Sequence, residues 1–165
     1  MIVASKNVFF RKGLECLKND NNHTISDDVI IFDLGHANIC AINTREFEGH
    51  RNMPPLLVFC ICKQHSLNRL NRISIASTHR WVKSIHQKRI YKKLTAHETM
   101  VIELLMKSFT PYSISKKLNI SIKTVSAHKI NALTKLRARN FFCFLKEYNI
   151  WLLLWNTYLH KSQSF

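Results

Sequence analysis

Acidic side chains are scarce in this chain. Asp and Glu together number 10 against 25 Lys and Arg, so the formal net charge is +15 over 165 residues. That imbalance favours an anionic partner, either nucleic acid or an anionic membrane surface, and charge alone does not choose between them. The five cysteines (Cys16, Cys40, Cys60, Cys62, Cys143) include no C-x-x-C. Free structural thiols in a reducing, cytoplasmic setting are therefore expected. The nine histidines are scattered, with no H-E-x-x-H, so neither a metal nor any other cofactor is expected. No apolar run reaches the roughly 20 residues that span a bilayer. The most apolar stretch, Tyr148 to Leu159, holds 12. The first residues lack a basic region followed by a long apolar run, so no signal peptide is expected. At 46% hydrophobic the chain can bury a core, in one domain or two small ones.

What is present is concentrated between Leu94 and Arg139. Thr-Ala-His-Glu at Thr95–Glu98 is a capping box, with the Thr95 hydroxyl and the Glu98 carboxylate each taking a backbone N–H of the other residue. Val101, Ile102, Leu104 and Leu105 follow as an apolar stripe of helical width. Thr110-Pro111 restarts a helix, with Thr as N-cap and Pro where its missing N–H is harmless. That helix is short, about Pro111 to Leu118, and Asn119 suits the left-handed position that ends it. Ser121 caps a third helix, about Ile122 to Arg137, with Val125, Ala132, Leu133 and Leu136 on its buried side. Two helices joined by Asn119-Ile120-Ser121 make a helix-turn-helix, whose second helix lies in the major groove.

The spaced residues Leu94, Thr95, Glu98; Ile120, Ser121, Lys123, Thr124, Val125, His128, Asn131; Lys135 and Leu136 resemble the LuxR/NarL-type (GerE-type) DNA-binding domain over roughly 50 residues. The resemblance implies a four-helix domain that binds promoter DNA as a dimer. The family usually has Gly where Ser108 stands, and Glu-Ile-Ala where Ser113-Ile114-Ser115 stands. The expected double-stranded DNA contacts are Thr110, Ser121, Lys123, Thr124, Ser126, Ala127, His128, Lys129, Ile130, Asn131 and Lys135. Lys123 and Thr124 suit phosphate, whereas Ser126, Ala127 and Ile130 suit base edges or thymine methyls. His128 reads as a half-buried structural residue that touches phosphate, and Asn131 as bonded within the domain or to the DNA backbone. Without the motif, Lys123, Thr124 and Lys129 would read as a solvated helix face. The following aromatic stretch occupies the place of the family's fourth helix, which often forms the dimer contact. Leu145, Trp151, Leu152 and Trp155 are expected either at that contact or closing the domain core.

The first half alternates strands and helices: strand Met1–Ala4, helix Lys6–Lys18, strand Val29–Phe32 ending on Asp33, strand Leu56–Cys62 after the Pro54-Pro55 break, strand Ile73–Ala76, and a basic helix Arg80–Tyr91. The stretch Gly35 to Met53 resists parsing. Such alternation predicts a small parallel α/β sheet. Ser5–Leu14 and Asp28–Leu34 resemble parts of a response-regulator receiver domain, in a shortened form, and the resemblance puts Asp33 at the phosphoacceptor position. Phosphoryl transfer to a carboxylate needs Mg²⁺ on oxygen ligands. Ser5 and Lys6 stand where the acidic ligands would, so Asp33 is expected to be inactive and to cap the following turn.

The chain is thus expected to comprise a receiver-like α/β domain (1–83), a basic linker (84–93), an all-α four-helix domain (94–159) and a tail (160–165). It reads as a bacterial transcription regulator, a homodimer or a heterodimer with a related regulator. It is not expected to be an enzyme, to take a small-molecule substrate or to join a membrane. The rival readings are a phosphorylation-controlled response regulator using Asp33, an adaptor whose helix-turn-helix binds DNA poorly, and a membrane-surface protein using its basic charge and aromatic tail.

Overall fold

The computed structural model describes residues 2–18, 29–35, 38–61, 63–66 and 93–162. Contacts divide the chain into two units. One is Met1–Ile90 together with Glu147–Phe165, and the other is Tyr91–Lys146. The expected strand Ile73–Ala76, the helix Arg80–Tyr91, the first nine residues of the linker and Cys62 lie outside the described residues.

In the front unit, β1 (Ile2–Ala4) pairs parallel with β2 (Val29–Gly35), Ile2 opposite Ile30. Between them in sequence runs α1 (Val8–Lys18), whose first N–H groups at Phe9 and Phe10 donate to the Asn7 side chain. This is a strand–helix–strand unit. Next, β3 (Asn38–Asn43) pairs antiparallel with β2, and β4 (Lys63–Ser66) antiparallel with β3, in the order β1-β2-β3-β4. The α/β character holds, but the sheet is mixed where an all-parallel, receiver-like one was expected. The cause is chain length. Only residues 36 and 37 separate β2 from β3, and a parallel crossover needs a dozen or more. Receiver likeness is confined to β1, α1 and β2.

Two helices follow β3. Asn43 caps α2 (Thr44–Gly49), its side chain accepting from the Arg45 N–H at 2.8 Å. The apolar run after Pro54 is helix α3 (Pro55–Ile61) rather than the expected strand. Pro55 sits at the first helical position, where its φ is preset, and the Pro54 carbonyl accepts from Leu57 and Val58. A short, fully apolar run does not by its periodicity separate buried strand from buried helix.

Val29, Ile30, Ile31, Phe32 and Leu34 are all fully buried, so β2 is covered on both faces. The last helix, α7 (Phe141–Ser162), supplies part of that cover through its residues from Glu147 onward. Trp151 and Trp155 lie 6.3 and 6.5 Å from Phe32 between ring centroids. Phe59 meets Trp151 edge-on at 5.3 Å, and Phe47 lies 4.4 Å from Trp155. Asn38 Nδ2 donates to Glu147 Oε1 at 2.6 Å. Each aromatic of this size removes 150–250 Å² from water. The cluster therefore anchors the front unit, and the boundary expected at 94–159 is corrected: Trp151 and Trp155 are front-unit core. Among the described residues no helix is long and apolar enough to cross a membrane.

The second unit contains α4 (Ala96–Met106), α5 (Pro111–Leu118), α6 (Ile122–Lys135) and the start of α7. Val101, Leu104, Ile114 and Val125 form its core, with Leu105, Leu118 and Ile120 against it. Phe144, 1% exposed, is also buried.

Candidate nucleic-acid interface

The caps position the helices. The Thr95 N–H donates to Glu98 Oε2 at 2.7 Å, and the Glu98 N–H to Thr95 Oγ1 at 3.3 Å, closing the capping box. Thr110 Oγ1 accepts from the Ser113 N–H and Ser121 Oγ from the Thr124 N–H. Asn119 has φ 52°, and the Ile120 N–H reaches back to the Ser115 carbonyl at 3.1 Å. That is the six-to-one bond of a Schellman turn. It turns the chain sharply enough for Ser121 to start α6 two residues later.

The same turn closes α4 and α6. Phe109 N–H donates to the Leu104 carbonyl, with Ser108 at φ 64°, and Ala138 N–H donates to the Leu133 carbonyl, with Arg137 at φ 54°. The left-handed region favours glycine, yet this unit contains none. Arg137 was expected inside α6; it is instead the residue that turns the chain out of it. The other departure from the family pattern is accommodated locally, because the buried Ser115 hydroxyl donates to the Tyr112 carbonyl at 2.8 Å.

On α6 the two sides are cleanly sorted. Val125, Ala132 and Leu133 are buried, whereas Ser121, Ile122, Lys123, Ser126, Ala127, Ile130, Asn131 and Thr134 are exposed. Thr124, His128 and Lys129 are half-buried at its margin. The His128 ring stacks on His97 at 5.5 Å and 17°, which gives it a packing role. After Ser121 has taken the Thr124 N–H, the N–H groups of Ile122 and Lys123 have no intrahelical acceptor and point out of the helix end.

Ten of the eleven expected contact residues lie on α5's start or on α6. The eleventh, Lys135, is engaged elsewhere. Its ammonium donates to Glu98 Oε1 and Oε2 at 2.9 and 2.7 Å and to the Lys93 carbonyl at 3.3 Å. Burial pushes the Glu98 carboxyl up, but the Lys135 hydrogen bond, helped by the Thr95 N–H, outweighs it, and the group titrates below its ordinary range. Lys135 is therefore the bolt between α4 and α6.

Around this face, residues 104–146 contain nine Lys and Arg and no Asp or Glu. Two exposed aromatics, Phe109 and Tyr112, were not singled out from the sequence. Tyr112 carries Lys116 at 5.7 Å over its ring and Phe109 carries Lys117 at 5.0 Å. Aromatic residues in a helical pattern otherwise read as core, so only the flanking lysines pointed to this.

Asp33 is placed as a turn cap. Its Oδ1 accepts from the Gly35 N–H at 3.0 Å and its Oδ2 from the Ser5 hydroxyl at 2.6 Å. Gly35, at φ 73°, supplies the positive dihedral. Among the described residues no group of three or more His, Cys, Asp and Glu could hold a metal.

Residues 92–142 match the family model for bacterial regulatory proteins of the luxR family, GerE. No solved structure matches the chain. The match ends at the first turn of α7, where the second unit also gives way to the first. The chain thus carries a luxR-family (GerE) helix-turn-helix, the DNA-binding domain of a transcription regulator.

Proposed function

We propose that the chain binds promoter DNA by laying α6 in the major groove, as a dimer and without phosphorylation control, in the cytoplasm. The observation that carries this reading is the outward α6 face. Lys123, Ser126, Ala127 and Ile130 are all exposed on one side of a helix inside a stretch without a single acid. Lys123, Thr124 and the free N–H groups of the helix end take phosphate, fixing register, and Lys129 adds charge beside them. Thr110 offers the same at the start of α5. Ser126, Ala127, Ile130 and Asn131 meet base edges. Dimerisation rests on the family habit and on the part-exposed Leu145 and Leu152; Trp151 and Trp155 are occupied in the front unit.

Independence from phosphorylation is supported by Ser5. It stands where an acidic Mg²⁺ ligand would be needed, and it bonds the carboxylate itself. Acetyl phosphate with Mg²⁺ is expected to label nothing; stoichiometric labelling lost in Asp33→Asn would overturn this part. A protein-contact role for the front unit is favoured by Phe9, 88% exposed on α1 beside the exposed Val8.

The deciding experiment is a salt titration of duplex binding by the full chain. Each neutralised phosphate steepens the log–log slope by about 0.9. Lys123→Ala is expected to weaken binding and to flatten the slope by about that amount. An unchanged affinity and slope would remove Lys123 from the interface.

A further inference from the structure

The exposed side of α6 is poor in hydrogen-bonding chemistry. The helix contains no Arg, Gln, Asp or Glu, which excludes most of the bidentate pairs that read guanine, adenine or cytosine. Two of its hydroxyls are engaged within the protein. Thr134 Oγ1 donates to the Ile130 carbonyl at 2.9 Å, and Thr124 Oγ1 pairs with Ser121 Oγ at 2.8 Å. What stands at the centre of the face is apolar. Ile130 is 62% exposed, and it lies seven residues from Lys123, two turns along the same line of the helix, with Ala127 one turn before it.

An exposed β-branched residue in mid-helix wants a partner. A second copy of the same face would bring Lys123 and Lys129 against their own kind. A polyanion with apolar groups on its edge would satisfy both the charge and the isoleucine. In the major groove that group is the 5-methyl of thymine.

We propose that Ile130, with Ala127 beside it, reads thymine 5-methyl groups, so that the preferred half-site is specified by thymines packed against this side chain more than by hydrogen bonds. The proposal rests on the duplex-binding reading above. Asn131, at the edge of the face, adds an adenine-compatible amide. Ile130 acts here as a specificity-determining residue.

The test uses the full chain and the duplex it enriches most strongly from a random pool at low ionic strength. Each thymine of that duplex is replaced in turn by deoxyuridine, which removes the methyl and nothing else. Burying one such carbon is worth about fourfold in affinity. The expected result is one or two positions where deoxyuridine weakens the wild type about fourfold, with that loss absent in Ile130→Ala. On the thymine duplex itself, Ile130→Ala binds about fivefold more weakly. The variant keeps its helix, since Ala has the higher helix propensity and the site is exposed; helical circular dichroism confirms this. If no thymine is sensitive, or if wild type and variant lose equally, the proposal is overturned while duplex binding stands. If no duplex is enriched, both fall. If Ile130→Ala changes sedimentation but not affinity, the residue is a self-contact and the proposal is overturned.

Discussion

The two units of this chain are held together by different kinds of interaction. The helical unit, Tyr91–Lys146, is assembled from short-range devices: three side-chain N-caps, three left-handed helix ends and one ion pair, around a small aliphatic core. The front unit is held by pairings between distant residues. β1 finds β2 across more than twenty residues, and Phe32 meets Trp151 and Trp155 from the far end of the chain. A domain built from local signals can be carried in a basic, glycine-poor stretch. One built from long-range contacts depends on a few large side chains.

The largest expected effect tests that dependence. Trp151→Ala opens a cavity at the centre of the aromatic cluster and is expected to cost the front unit about 3–5 kcal/mol. Hydrogen exchange on the full chain should then show β2 and β3 losing protection while α4 and α5 keep theirs. Equal losses in both would mean that the units are not separately stabilised.

A smaller effect is expected at the bolt of the helical unit. Lys135→Met leaves the buried Glu98 carboxylate without its partner. Because the lysine is partly exposed, the cost is expected at about 2 kcal/mol, below that of a fully buried pair. The salt slope of duplex binding should not change, since this ammonium is engaged inside the protein. A flattened slope would return Lys135 to the interface. The same pair sets an acid limit. The Glu98 carboxyl is held below its ordinary value near 4.5, so its stabilisation is fully present above that pH and is lost as pH falls through the lower, folded value. Denaturant melts of α4 to α6 should weaken in that window, and Glu98→Gln should remove this part of the pH dependence.

The smallest effect concerns the missing glycines. Ser108→Gly and Arg137→Gly relieve left-handed residues and are each expected to stabilise the helical unit by about 1 kcal/mol, read as a shift in melting midpoint. Asn119→Gly should gain less, because Asn tolerates that conformation.

This contrast also explains what could be read from the sequence. Thr95 with Glu98, Thr110-Pro111, Asn119 and Ser121 were legible because a cap and the N–H it binds lie within a few residues. Arg137 was missed because arginine is no stop signal; only the turn geometry exposes it. Asn43 before Thr44 was a usable cap signal for α2, lost in a stretch whose strand, β3, is defined by pairing with β2. Pro54-Pro55 was read as a break before a strand, although proline also opens helices. The tryptophans were assigned to the wrong unit because a helix sequence shows which residues want burial, not which core receives them. On α6 the exposed residues were legible as a face; that Lys135 is engaged by Glu98 needed three dimensions.

The central claim is that the α6 face from Ser121 to Asn131 is the surface that duplex DNA covers. Hydrogen exchange and side-chain footprinting of the full chain, with and without saturating duplex at low ionic strength, test it directly. The expected result is protection concentrated at Ser121–Asn131 and at the start of α5, with the front unit unchanged. Saturated binding that leaves α6 as accessible as before would contradict it.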